Sequence, residues 1–220
     1  MKNIEILHED DFLIVVNKPA GLAVQGGKGV KSSLDKILAE IRTPPPLLVH
    51  RLDKDTSGIL LAAKGRDSAA RFSRILGAQK QRGGAVKQYI AVCAGCPEKD
   101  EGVITDDLLI RHNLKKSETR YRVIKSGKLA LGEPQNFSVL EIELGTGRMH
   151  QIRRHLAMNG NPILGDDKYG DFALNKKLRR VIGLKRLLLH ASRLVIKDEF
   201  NLDINAPLPE YFEQFVTDKR

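Results

Sequence analysis

The run His50-Arg51-Leu52-Asp53-Lys54-Asp55-Thr56-Ser57-Gly58 packs two carboxylates, an imidazole, two cations and two hydroxyls into one short stretch. It lies between the proline stop at 44–46 and the apolar run Ile59-Leu60-Leu61, so it forms a loop feeding a strand. Such a loop can present a catalytic carboxylate. It can equally satisfy its own backbone, because Asp, Thr, Ser and Gly are common turn residues. Composition leaves both readings open.

A second segment, Gly145-Thr146-Gly147-Arg148-Met149-His150-Gln151-Ile152-Arg153, is a glycine-rich turn running into a helix. The first turn of a helix offers unpaired N–H groups to an anion. The alternative is a solvated helix start with Arg148 and Arg153 in water. The spacing is not G-x-G-x-x-G, and the chain has no G-K-[ST] P-loop. Nucleotide-cofactor readings fail on both counts. A third segment, Lys87-Gln88-Tyr89, places a tyrosine in a strand. With four Tyr and no Trp, rings able to stack on a base are scarce.

These segments need elements to hold them. Ile4–Leu7 and Phe12–Val16 read as a hairpin or two short strands. Strands are expected at Ile59–Ala63, Tyr89–Val92, Thr119–Val123 and Phe137–Leu144. Apolar residues at 34, 37, 38 and 41 trace one helical face, with Ser32 and Asp35 as a capping box. Further helices are expected from Asp67, burying Ala69, Phe72 and Leu76, over Met149–Asn159 with Gly160 as its stop, and from Pro209, burying Phe212, Phe215 and Val216. Strands outnumber helices and do not alternate with them. The expectation is an α+β fold on a largely antiparallel mixed sheet with flanking helices and a central cleft. No repeat or long linker divides the chain, so residues 1–220 read as one catalytic domain.

The chain of 220 residues is 41% hydrophobic, which excludes a disordered chain. No apolar run is long enough to span a membrane. The acidic N-terminal stretch (Glu5, Glu9, Asp10, Asp11) is wrong for a signal or transit peptide, so the protein reads as soluble and cytoplasmic. Net charge is +10 and the pI is near 9.6, as expected of a nucleic-acid binder. Lys176, Lys177, Arg179, Arg180, Lys185 and Arg186 form a cluster with no acidic residue inside it, suited to a phosphate backbone. Cys93 and Cys96 make a lone C-x-x-C without a second pair, so no metal is expected.

At these segments together the chain resembles the RluA-type pseudouridine synthases. The H-R-L-D loop signature stands at His50 to Gly58, and the entry motif at Glu9-Asp10-Asp11 and Asn17-Lys18-Pro19-Ala20-Gly21. The K-x-Y strand stands at Lys87 to Tyr89. The G-R-x-H-Q-I-R run with its G-x-P-I-x-G-D-x-x-Y-G continuation occupies 147–153 and 160–170, and L-L-H-A ends at Ala191. Within the family it resembles the large-subunit ribosomal RNA synthases of the C and D types, on Ala23 to Gly27 and Ser117 to Tyr121. Those carry a preceding S4-like RNA-binding domain. Here the sequence starts at the first catalytic strand, so no such domain is expected, and transfer RNA stays open beside ribosomal RNA as substrate.

The resemblance implies a cofactor-free isomerase that breaks the N1–C1′ bond of uridine, turns the base and rejoins it through C5. Asp53 would be the essential carboxylate, as nucleophile or as base on the sugar, and Arg153 the cation pairing with it. Tyr89 would stack on the uracil, Leu188 or Leu189 would wall the pocket, and Arg51 would fill the gap left by the flipped base. His50 and Arg148 join the substrate-binding set, with Lys176, Lys177, Arg179 and Arg180 gripping RNA. The structural alternatives are His50 as a hydrogen-bonding residue of the loop, Gly58 as a turn residue and Tyr169 as a core residue. Asp55 is the rival carboxylate. A monomer with RNA as partner is expected. The alternatives are an inactive RNA-binding or ribosome-assembly module of the same fold, and a hydrolase using Asp53 with His50 or His150.

Overall fold

A computed structural model of the chain describes residues 4–78, 84–197 and 200–217. The elements run β1 (Glu5–Glu9), β2 (Leu13–Lys18), α1 (Leu34–Ile41), β3 (Leu47–Leu48), β4 (Ser57–Ala63) and α2 (Arg66–Gly77). Then come β5 (Val86–Ala94), β6 (Glu101–Ile104), β7 (Leu108–Ile110), β8 (Asn113–Lys115), β9 (Thr119–Leu131) and β10 (Glu133–Leu144). The remainder is α3 (Gln151–Met158), α4 (Phe172–Val181), β11 (Leu189–Ile196), β12 (Leu202–Asn205), a 3-10 turn at Glu210–Phe212 and α5 (Glu213–Val216).

Two compact units are built from these elements. One comprises Met1–Lys87 with Ala191–Pro207, the other Gln88–His190 with Leu208–Arg220. In the first, strands run β1-β2-β4-β11, with β3 added to β4 and β12 to β11. Leu13–Val16 and Ile59–Ala63 are continuous apolar runs because both faces of β2 and β4 are buried. α1 buries Leu34 and Leu38, and α2 buries Phe72, Ile75 and Leu76, each set on one helical stripe.

In the second unit the order is β5-β10-β9-β6, and β7–β8 form a separate two-stranded sheet. The long ribbon β9–β10 pairs antiparallel from Thr119↔Leu144 to Leu131↔Glu133. Exposure alternates along β9, the mark of a strand with one wetter face. Phe137 of β10 meets Phe215 of α5 edge-on. The α+β class with a mostly antiparallel sheet and few flanking helices holds.

Three local readings are corrected. The residue preceding α1 is Ser33 rather than Ser32, and its hydroxyl meets the Asp35 carboxylate instead of a helix N–H. Gly58 is not a turn residue but the second residue of β4, opposite Lys18. Its φ is +107°, and a Cβ there would lie 2.2 Å from the Ala191 carbonyl oxygen, so only glycine fits. Tyr169 is half-buried rather than core.

Candidate functional site

In the first unit the polar loop spans the gap between β3 and β4. Leu52, Thr56 and Ser57 turn inward and are buried, Asp53 and Asp55 are half-buried, and Arg51 is exposed. His50 Nε2 accepts the Leu61 N–H at 2.9 Å, which fixes the proton on Nδ1. Burial, reinforced by the charge of Lys87, pushes the His50 pKa down to about 3. The ring is therefore neutral at working pH and holds the loop to β4, the hydrogen-bonding part expected of it.

What seats this loop is Lys18, to which the sequence analysis gave no role. It ends β2 fully buried, and its ammonium donates to the carbonyls of Pro19 (3.1 Å), Leu22 (2.9 Å) and Lys54 (3.0 Å). Gly21, at φ +83°, donates its N–H to the same Lys54 carbonyl at 2.9 Å. The Asn17–Gly21 motif is thus the bracket that fixes the backbone just after Asp53. Burial pushes Lys18 down to about 8, against the opposing charges of Asp55 and Asp53.

The second unit carries the other candidates. Tyr89 is a buried residue of β5 opposite Ile142 of β10. Beyond β10 the glycine turn is closed by Gln151. Its Oε1 accepts from Thr146 Oγ1 (2.8 Å) and the Arg148 N–H (2.9 Å), and its Nε2 donates to the Glu118 carbonyl and Thr119 Oγ1. The Arg148 N–H is therefore already used and does not wait for an anion. His150 precedes α3 in the left-handed region, at φ 53°.

Arg153, the third residue of α3, is 5% exposed, which removes the solvated reading for it. Its Nε and Nη2 donate to the two carboxylate oxygens of Asp166 at 2.8 and 2.7 Å. The two-pronged geometry fixes the guanidinium plane. Burial would raise the Asp166 pKa, but the Arg153 hydrogen bonds and the N–H groups of Tyr169 and Lys168 outweigh it and lower it. The Tyr169 ring lies 5.2 Å from the Arg153 guanidinium, and its hydroxyl meets His150 Nδ1 at 3.0 Å. Asp166 sits in the quoted motif, yet nothing in its spacing marked it as the partner of Arg153.

Arg148 is exposed and donates from Nε to the Lys116 carbonyl at 3.3 Å. Leu188 and Leu189 are buried, and the Leu188 carbonyl accepts from Val92 of β5 at 3.0 Å. Lys176, Lys177, Arg179 and Arg180 lie on α4, a helix the sequence analysis did not identify. Asp171 Oδ1 caps it by accepting the Leu174 N–H. Leu174 and Leu178 face inward and all four cations face solvent. Cys93 is buried, its thiol pKa raised by burial, and Cys96 is exposed. Among the described residues no three or more His, Cys, Asp or Glu side chains gather as a metal would require.

The family model described as RNA pseudouridylate synthase matches residues 12–158, about two thirds of the chain. The chain belongs to this family. A ribosomal large subunit pseudouridine synthase C of Vibrio vulnificus is 37% identical, across 98% of this chain and 69% of its own length. One of Rickettsia felis is 38% identical, across 96% and 70%. Among solved structures, human RNA pseudouridylate synthase domain containing 4 superposes with a TM-score of 0.78 at 28% identity, covering 94% of this chain and 90% of that one. Human RNA pseudouridylate synthase domain containing 1 gives 0.76 at 26%, covering 94% and 84%. The chain is an RNA pseudouridine synthase, an isomerase that acts on RNA, and not an inactive module of the same fold. No helix among the described residues is long and apolar enough to cross a membrane.

Proposed function

We propose that this synthase isomerises uridine in large-subunit ribosomal RNA, in the cytoplasm, with Asp53 as the essential carboxylate. The observation that carries the role of Asp53 is the Lys18 bracket: a fully buried ammonium bound to three carbonyls, one of them Lys54. Holding the backbone beside a half-buried carboxylate is how a reacting group is kept in a fixed position. Asp53 opens the N1–C1′ bond as nucleophile or as base on the sugar, and both roles require it ionised. Arg153 takes the part of the cation that a carboxylate in a dry pocket requires, and Asp166 orients it. Tyr89 supplies the stacking face, Arg51 occupies the space vacated by the flipped base, and the α4 cations grip phosphates.

The names of the relatives, which match nearly the whole chain, support ribosomal RNA as the class. Ribosomal and transfer RNA from cells lacking the gene, each incubated with the protein and mapped for alkali-resistant carbodiimide adducts, test it. New pseudouridine in the large-subunit RNA supports the reading. Product only in transfer RNA would overturn the substrate and leave the reaction standing.

A further inference from the structure

One face of α3 is polar and yet buried. Gln151 and His155, four residues apart on the same side of the helix, are 3% and 0% exposed. Both side chains reach one hydroxyl, that of Thr119 at the start of β9, itself fully buried. Gln151 Nε2 donates to Thr119 Oγ1 at 3.0 Å, and His155 Nδ1 lies 3.0 Å from the same oxygen. Apolar side chains of like shape could fill these positions at little cost in stability. Stability alone therefore does not account for three polar side chains here, and a use for their directionality has to be sought.

The hydrogens of this group have one arrangement. His155 Nε2 lies 2.9 Å from the Asp106 carbonyl, which can only accept, so the ring proton sits on Nε2. Burial lowers the His155 pKa against the Asp106 carbonyl and carboxylate, Arg154 adds to the lowering, and the ring is neutral at pH 7. In the neutral ring Nδ1 accepts the Thr119 hydroxyl hydrogen, while the Thr119 oxygen accepts from Gln151. The other Nε2 hydrogen of Gln151 goes to the Glu118 carbonyl at 2.8 Å, and its Oε1 accepts from Thr146 and the Arg148 N–H. Such a chain breaks when the helix slips or rotates. The apolar contacts of Ile152 and Leu156 on the same helix tolerate more adjustment.

Arg153 belongs to the same helix, about 200° around it from both Gln151 and His155. On that opposite side it meets Asp166. Asp166 fixes the guanidinium plane, but the starting point of the side chain depends on how α3 itself is turned. We infer that Thr119 is a positioning residue for the isomerisation: its hydroxyl, shared by Gln151 and His155, sets the rotation of α3 and with it the place of Arg153. The inference rests on the reading of Arg153 as the cation that Asp53 requires, and adds to it a group that acts only through Arg153.

Thr119→Val keeps the shape and removes the hydroxyl, whereas Thr119→Ser keeps the hydroxyl and removes the methyl. Pseudouridine formation in total RNA from cells lacking the gene is measured in a single turnover with enzyme in excess, so that product release cannot mask the step. RNA Kd and melting temperature are taken on the same preparations. We expect the Val variant to melt lower, to bind RNA as wild type does and to react at least about tenfold more slowly, because a displacement of about 1 Å can cost about a hundredfold. The Ser variant should recover most of the rate. A Val variant that melts lower yet reacts at the wild-type rate is what a purely structural hydroxyl gives, and it would overturn the inference. A Ser variant as slow as Val would overturn it too. Should Val fail to fold, Thr119→Cys, whose thiol bonds weakly, decides by the same rate, lowered in support and unchanged against. Arg153→Gln separates the two readings. If it reacts at the wild-type rate, the role of Arg153 fails and the positioning fails with it. An inactive Arg153→Gln beside an unimpaired Thr119→Val overturns the positioning alone.

Discussion

The buried ammonium of Lys18 donates to the backbone carbonyl of Lys54 at 3.0 Å, so the residue after Asp53 is tied to the end of β2. This link has a pH signature. Burial brings Lys18 from 10.5 to about 8, despite Asp55 and Asp53. Between those values the unfolded chain holds a proton that the folded chain has released, so this group alone makes stability rise with pH across that window. Activity should move the other way, falling above about pH 8 as the loop loses its cation. Lys18→Met should lower the rate and abolish that alkaline limb. A wild-type rate profile flat through about pH 9 would contradict the role given to Lys18.

Arg153 and Asp166 are both nearly inaccessible and joined by two short hydrogen bonds. Asp166→Ala should cost about 3–5 kcal/mol of stability, the usual consequence of breaking a buried pair from one side. Asp166→Asn keeps the shape and removes the charge. The native Asp166 pKa lies below its ordinary 3.8, so its stabilisation is complete above that value and is lost as pH falls through the native one. The Asn variant should therefore show a flatter acid limb in its melting temperature. Equal acid sensitivity in both proteins would show that the pair contributes nothing to folding.

The α4 cations are the proposed phosphate grip. Replacing Lys176, Lys177, Arg179 and Arg180 with Gln should weaken RNA binding and flatten its salt dependence by roughly 0.7 to 0.9 per lost contact. Leu174 and Leu178 remain to hold the helix, so the melting temperature should hardly move. An unchanged slope would place the RNA elsewhere.

The distribution of these elements explains what the sequence made legible. The β2 and β4 runs, the α1 stripe and the start of α3 were readable because burial leaves a periodic trace in residue type. α4 was not, because its inward face is only Leu174 and Leu178 amid four cations, and the cluster read as charge rather than as a helix. β6, β7 and β8 are three or four residues long, too short for any period to show. The loop around Asp53 and the Arg153 helix stood out as motifs, whereas Lys18 and Asp166 did not show their roles. Their function lies in carbonyls and a guanidinium that only the folded backbone brings within reach. Gly58 misled for a similar reason: its constraint comes from Ala191, far away in sequence.

Asp53, and not Asp55 two positions on, is the carboxylate proposed to perform the isomerisation. Asp53→Asn is isosteric and removes only the charge. The measurement is pseudouridine formed per enzyme at saturating RNA, with RNA affinity determined on the same preparation. The expected result is no detectable product and an affinity near wild type. A rate within about tenfold of wild type, a barrier change of no more than about 1.4 kcal/mol, would contradict it and pass the role to Asp55.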